Sequence, residues 1–516
     1  MTLRTGLVLF ALAALASPSL AQEPQIVFSP HEQQDVEISK ELLKAKSSIY
    51  MALYSISHES DWVDDPGPTA SQGEIDRHKA FRTRLDKGEV KVFDMIKRKS
   101  QEEGVKCRLI LNRAALDSWA VDRAKAYEAI GVEVRWTHKT MHHKFAVVDR
   151  KVLINGSGNW SRGAAERYSE NTAFFRNDRR LVWRFLREFY FLWYTLPREG
   201  KAESFDEALL PVAQPDVNFF VSRKVRHSTK RAVEAYFTSE NTTWTDYTCA
   251  DKIVEEMRAA KKQILVMVNH FNMRRIGSAL IQINNERNKN ADPSDDVQIK
   301  VLMDLGEYDA TAISQSDELE KAGIECRYKF YSLSFYYRQA QFMHHKVLIT
   351  DSERVVTGSY NWSRTAEHKN YENITVHQGP SQQALVAKMK GEFERLWDLR
   401  RDAFQAFKAA VLSKPGDADY KRVVPVHFVR GGSYYHTPMT LTRAEIESVR
   451  KPLEAVGYAP ASQDDPASQA NHDKQFFDKE TGSFTNAAPG GTFVPNEDQV
   501  AATNLSGLSG ALTPGQ

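Results

Sequence analysis

One stretch of this chain occurs twice, and it constrains the fold more than any other feature. At Met141 the sequence reads MHHKFAVVDRKVLINGSGNWSR, and at Met343 it reads MHHKVLITDSERVVTGSYNWSR. The copies align at an offset of 202 (343 − 141) without a gap, as far as Glu170-Asn171 over Glu372-Asn373. His142, Lys144, Asp149, Gly156, Ser157, Asn159 and Arg162 thereby fall on His344, Lys346, Asp351, Gly358, Ser359, Asn361 and Arg364. A repeat this dense in polar and glycine identities is a duplicated structural unit, so the chain folds as two like halves.

The likeness continues on both sides of the motif. ISKELLKAKSSIYMALYSI (38–56) resembles IVEEMRAAKKQILVMVNHF (253–271) at offset 215, each an amphipathic helix entering an aliphatic strand. GVKCRLILN (104–112) matches DVQIKVLMD (296–304) at offset 192, and LVWRFLREFYFLWY (181–194) resembles LVAKMKGEFERLW (385–397). Helices alternating with buried-type strands predict an α/β fold built of two pseudo-twofold-related α/β sandwich lobes. Lobe 1 spans about 24–200 and lobe 2 about 230–403, with a polar linker at 201–229. The fall in offset of 23 (215 − 192) places an extra polar stretch in lobe 1, Ser57–Glu89, with basic Arg77, His78, Lys79, Arg82 and Arg84. The rise of 10 (202 − 192) places an aromatic one in lobe 2, Phe330–Gln341, with Phe330, Tyr331, Phe335, Tyr336 and Tyr337. Loops outside the repeat are where substrate choice resides. The aromatic stretch reads as a packed hairpin or as a wall for acyl chains, and the basic one, with Arg162, Arg338 and Arg364, as a solvated surface or a nucleic-acid groove.

The pattern H-x-K-x4-D-x6-G-S-x-N, complete in both copies, resembles the phospholipase D superfamily over about 370 residues, from the first strand to Trp397. The resemblance implies that the two motifs form one shared active site. The reaction it implies is hydrolysis or transfer at a phosphodiester through a covalent phosphohistidine. It also implies that the motif aspartates are structural and that the N-terminal histidine is commonly the nucleophile.

The residues support that chemistry unaided. His and Lys two apart in an extended segment share one face, while His143 and His345 point the other way, toward core or supporting positions. Two such faces would surround one phosphate with His142, His344, Lys144, Lys346, Asn159 and Asn361. The lysines and asparagines would stabilise the equatorial oxygens as charge builds. One imidazole can attack phosphorus while the other protonates the leaving alkoxide and then activates water. Glu170 and Glu372, each 28 residues beyond its own motif histidine (170 − 142, 372 − 344), are expected to orient these rings. Ser157 and Ser359 are expected to line the phosphate site. Asp149 and Asp351, at the end of each motif strand, read as turn or salt-bridge residues. No metal and no cofactor is expected, since the lysines supply the positive charge and would repel a cation.

Composition bounds the remainder. At 516 residues, 41% hydrophobic and 26% charged, the chain has material for two ordinary globular cores. A net charge of +2 leaves any preference for polyanions to local patches. Arg4, an apolar run from Gly6 to Ala16, and small residues at Ser19 and Ala21 predict a signal peptide at 1–21, hence an exported, periplasmic or secreted protein. Of three cysteines, Cys107 and Cys326 fall opposite Ile299 and Val134 and read as buried apolar thiols. Beyond 403 a small extension (404–458) is expected, with a strand at Val423–Arg430 and a helix from Arg443 capped at Thr442. A poorly structured tail should follow at 459–516.

An exported two-motif chain of this kind most resembles a secreted phospholipase D, releasing a headgroup alcohol and leaving phosphatidic acid at a membrane surface. A nonspecific nuclease acting on nucleic acid and a transphosphatidylase of cardiolipin-synthase type are the alternatives. No obligate protein partner is evident, and a monomer is expected.

Overall fold

The computed structural model describes residues 23–112, 118–137, 139–195, 232–310, 313–331, 341–412 and 438–455, with isolated short strands at 197–198, 201–202, 427–430, 433–436, 476–478 and 483–485. The stretch 1–21 expected to be a signal peptide, most of the linker, Phe335, Tyr336, Tyr337 and Arg338 of the aromatic stretch, and most of the chain beyond 455 lie outside the described residues.

Each half forms one mixed sheet. In lobe 1 the strand order is Gln25–Ser29, Glu170–Arg176, Val152–Gly156, Lys144–Val148, Ser48–Leu53, Lys106–Leu111, Glu133–Trp136. Lobe 2 repeats it with Val233–Phe237, Asn373–Gln378, Arg354–Gly358, Lys346–Thr350, Gln263–Val268, Gln298–Asp304 and Glu325–Phe330, then adds an eighth strand, Met439–Leu441. Within each sheet parallel pairing is confined to the strands joined by helical crossovers, for example 48–53 with 106–111, and the motif strands pair antiparallel as hairpins. Both central strands are buried on both faces, as aliphatic runs such as ILVMV require.

The motif aspartates turn those hairpins. Asp149 and Arg150 have φ of 50° and 55°, and Asp351 and Ser352 have 53° and 56°, the left-handed pair a tight type I′ turn demands. Asp149 then accepts the amides of Lys46, Ser47 and Ser48 at 2.7–2.9 Å, and Asp351 those of Lys261, Lys262 and Gln263 at 2.7–3.0 Å. Each thus ties the motif hairpin to the start of the central strand. Gly156 is required by close approach: a Cβ there would lie 2.1 Å from the Asn171 carbonyl oxygen, and at Gly358 2.3 Å from that of Asn373.

The closing helices Arg179–Thr195 and Gln383–Trp397 pack on their own sheets and against the first strand of the other lobe. Lys388 donates to the Ile26 carbonyl at 2.6 Å, and Arg184 to that of Ala235 at 3.0 Å. Phe189 stacks on Trp193 and Phe393 on Trp397, ring centroids 5.6 and 5.3 Å apart, within one apolar core that draws on both sheets. Cys107, Cys249 and Cys326 are buried free thiols.

The two extra stretches pack into their lobes, and lobe 2 extends past 403. The lobe 1 stretch 57–89 is largely a helix, Gln72–Lys87, with a Ser71/Glu74 capping box, and it buries Phe81 and Leu85 in the lobe 1 core. Its basic side chains are engaged locally: Arg82 pairs with Glu102 at 2.7 Å, and Arg84 donates to the Glu89 carbonyl. Phe330 and Tyr331 are core residues rather than a substrate wall. The second lobe does not end at 403. Met439–Leu441 covers the edge strand Glu325–Phe330, and the helix Arg443–Glu454, capped at Thr442, sends Ile446, Val449 and Leu453 into the lobe 2 core beside Phe404 and Phe407. These residues have no counterpart in lobe 1, so the repeat carries no trace of them. Leu441→Ala is expected to destabilise the protein by about 2–5 kcal/mol in chemical denaturation.

Candidate active site

Each motif histidine stands just before its strand, and its position is fixed by the other lobe. Thr140-Met141 pairs in parallel with Asn370-Tyr371, and the His142 amide donates to the Tyr371 carbonyl at 3.0 Å. Reciprocally Met343 bridges to Ser169, and the His344 amide donates to the Ser169 carbonyl at 3.0 Å. The next residue in each partner segment is the glutamate. His142 Nδ1 lies 2.7 Å from Glu372 Oε1, and His344 Nδ1 lies 2.7 Å from Glu170 Oε1. Both glutamates meet motif histidines as expected, and the structure adds that the pairs are exchanged between lobes. The reason is directional, since each motif strand sits beside its own Glu-Asn strand only through the intervening hairpin strand, while the loop ends meet across the interface.

His143 and His345 hold that interface. His143 is fully buried, accepts at Nδ1 from Asn373 Nδ2 (3.0 Å), and presents Nε2 to Glu188 (3.2 Å) on the closing helix. His345 accepts from Asn171 Nδ2 at 3.0 Å and faces Glu392 at 3.5 Å. The asparagine of each Glu-Asn pair thus reaches across to the second histidine of the other motif.

Ser157 and Ser359 are not placed to line a phosphate. Both are fully buried, accept the amides of Asn171 and Asn373 at 3.0 Å, and lie against the Glu170 and Glu372 carboxylates. They support the glutamates. Asn159 and Asn361 follow two residues on and remain slightly open, like the histidines.

The electrostatics are those of a desolvated pocket with balanced charge. Burial, reinforced by Lys144 and Lys346, pushes both His142 and His344 well below the ordinary imidazole value, so each ring is a neutral base at pH 7. That both lysines act on both histidines places the four groups around one centre. Burial also drives Lys144 down to about 7 and Lys346 down to about 8, and raises Glu170 to about 8 and Glu372 to about 7. The lysine ammoniums donate to the carbonyls of His142 and His344 at 2.6 and 2.7 Å, which holds them beside the rings. Among the described residues no group of three or more His, Cys, Asp or Glu side chains is arranged to hold a metal ion.

Three residues near the centre escaped the sequence reading. Tyr54 sits edge-on to His142, ring centroids 4.8 Å apart. His270 bears on both motif histidines and lies 3.3 Å from Glu307. Lys329, buried and pushed down to about 7 by that burial, donates to the Ser169 hydroxyl at 2.8 Å beside Glu170. Each stands where the repeat fails to match: Tyr54 opposite Asn269, His270 opposite Ser55, Lys329 opposite Thr137. Mismatches flanking a conserved-looking motif pair were the available signal.

The family model described as cardiolipin synthase, PLD-like domain, matches residues 88–193 and 253–397. The mitochondrial cardiolipin hydrolase of Chlamydomonas reinhardtii is 33% identical over 103 residues, 20% of this chain and 41% of that protein. The one from Danio rerio is 26% identical over 151 residues, 29% of this chain and 58% of that protein. The chain thus spans about half the length of the curated relatives it matches. The crystal structure of phosphatidylserine synthase from Haemophilus influenzae Rd KW20 aligns over 72% of this chain and 86% of its own, at 14% identity and TM-score 0.44.

The exchanged pairing predicts exchanged phenotypes. Glu372→Gln should perturb the NMR titration of His142 and leave that of His344 close to wild type, and Glu170→Gln should do the reverse. The lysines predict an alkaline limb. Deprotonation removes the charge that holds phosphate, so kcat/KM on a soluble phosphodiester should fall as pH rises through 7–8, the range of Lys144 and Lys346 in the free enzyme.

Proposed function

We propose that this chain, which belongs to the phospholipase D superfamily of phosphodiesterases and transphosphatidylases, is an exported phospholipase D. Its substrate is a phospholipid at a membrane surface, its products phosphatidic acid and the headgroup alcohol. The observation that carries the reading is the exchange of His–Glu pairs, which gathers both histidines and both lysines of the two half-sites around one centre.

The diester enters with its phosphate between the two imidazoles. Lys144, Lys346, Asn159 and Asn361 hold the equatorial oxygens. A neutral imidazole attacks phosphorus through Nε2, its Nδ1 steadied by the glutamate of the other lobe. As the N–P bond forms, the P–O bond to the headgroup breaks. The second histidine, which has entered the cycle protonated, gives its Nε2 proton to the leaving oxygen. Now neutral, it takes a proton from water, whose oxygen attacks phosphorus and displaces the first imidazole. Phosphatidic acid leaves and the second histidine is again protonated. The phosphate's negative charge favours both the imidazolium and the ammoniums that burial disfavours in the free site. Two ammoniums meet the charge demand, so no metal is required.

Several features support lipid as substrate. The matching family model and the named relatives concern cardiolipin chemistry, which is phosphodiester chemistry on an anionic lipid. Export rests on the leader-like 1–21 stretch. The test assays purified protein on phosphatidylcholine, phosphatidylethanolamine and cardiolipin vesicles and on single- and double-stranded DNA, all in EDTA. Headgroup release with intact DNA is expected, with His142→Ala and His344→Ala each reduced by at least about 10³-fold. DNA cleavage with inert vesicles would make the protein a nuclease, and loss of activity in EDTA restored by zinc would require a metal.

A further inference from the structure

Among the described residues only three large apolar side chains are exposed: Tyr54 at 36%, Ile313 at 67% and Trp244 at 59%. Trp244 is the one carried on a deliberately fixed loop. Asn241 Nδ2 ties the loop's start to the Glu367 carbonyl and carboxylate at 3.0 and 2.9 Å, and Asn241 Oδ1 receives the Thr248 amide at 3.1 Å. Between them the Asp246 carboxylate accepts the amides of Thr242 and Thr243 at 2.8 and 2.9 Å. A loop pinned at both ends and across its middle holds its indole out in solvent in a fixed place.

Cationic charge reaches the ring's neighbour. Trp244 leans on His368, centroids 5.0 Å apart, and Tyr247 packs edge-on to the same imidazole at 4.8 Å. The charges of Arg364 and Lys139 both reach His368, with Asp246 opposing them. Lys139 extends over the Tyr371 ring at 5.7 Å, and Arg364, Lys139 and Lys369 are all exposed. The patch adjoins the catalytic centre: Lys139 precedes Thr140-Met141, Tyr371 receives the His142 amide, and Arg364 follows Asn361 by three residues. Its counterpart in the other half lacks the device, since Glu166 stands at the position of His368 and pairs with Arg162 at 2.9 Å.

We propose that Trp244, with Lys139, Arg364 and Lys369 around it, is an interfacial anchor that docks the mouth of the active site onto an anionic lipid surface. An indole suits this place because its ring is apolar and its N–H remains wet, the balance found at the headgroup level of a bilayer. Lys139 and Arg364, whose charges reach His368, and Lys369, the exposed residue after it, complement a negative leaflet and are screened by salt. A nucleic-acid track would need successive stacking rings along a basic groove, and the patch offers one exposed ring. The proposal rests on the lipid reading above and adds where the enzyme meets its surface.

The test is co-sedimentation with phosphatidylcholine vesicles, with and without phosphatidylglycerol, paired with hydrolysis of soluble bis(p-nitrophenyl) phosphate. Trp244→Ala should lower vesicle partitioning and vesicle hydrolysis about tenfold, and Trp244→Phe should recover part of it. Lys139→Ala/Lys369→Ala should lower binding about fivefold per residue on phosphatidylglycerol vesicles only, an effect that vanishes at high salt. Turnover of the soluble diester should stay at the wild-type rate in all three. Wild-type vesicle binding by Trp244→Ala, or a loss of single-stranded DNA binding with vesicle binding intact, would overturn the anchor. Trp244-dependent vesicle binding without any lipid hydrolysis would instead leave the anchor standing and remove the phospholipase reading.

Discussion

Everything at the catalytic centre depends on a reciprocal exchange of two short segments across the lobe interface. The loop before each motif strand is held by the backbone just ahead of the other lobe's glutamate, at Met141–Tyr371 and Met343–Ser169. That contact fixes the ring height, delivers Glu372 to His142 and Glu170 to His344, and aligns Asn373 and Asn171 with His143 and His345. Neither half is complete alone. A lobe separated from its partner would leave a histidine without its carboxylate and a glutamate without its imidazole, and would open the apolar core that both sheets share.

The same burial that makes the interface also sets the chemistry. In a largely desolvated site the ordinary charge preferences shift: imidazoles become neutral bases, lysines approach neutrality, and carboxylates hold protons more tightly. Such a site is poised for an anion. On the proposed reading, a phosphodiester would restore the charge on the lysines and share it with a protonated imidazole, joining binding and activation in one electrostatic event. Direct ligation by a cation would meet two ammoniums first.

Symmetry builds the centre, and departures from symmetry surround it. Tyr54, His270 and Lys329 touch the site from positions where the repeat breaks, and Trp244 and His368 form a rim that the other half lacks. The two histidines therefore sit in unequal surroundings although their immediate partners match. A duplicated scaffold can divide the roles of nucleophile and acid only through such differences.

Much of this protein was legible in its sequence. The repeat specified two like α/β lobes, because a motif of glycines and hydrogen-bonding residues at fixed spacing can be satisfied by one local backbone: Gly156 where the Asn171 carbonyl presses close, Asp149 at a left-handed turn capping three amides. It also singled out His142 and Lys144 with their counterparts, since the two-residue period of an extended segment places them on one face. What it could not convey was which partner each residue meets. That Glu170 serves His344, that Ser157 backs a carboxylate, that Phe330 and Tyr331 are core, and that residues 439–454 complete lobe 2 are facts of contact between segments far apart in the chain. Spacing along a sequence fixes local geometry, whereas pairing across an interface is decided by which surfaces bury each other.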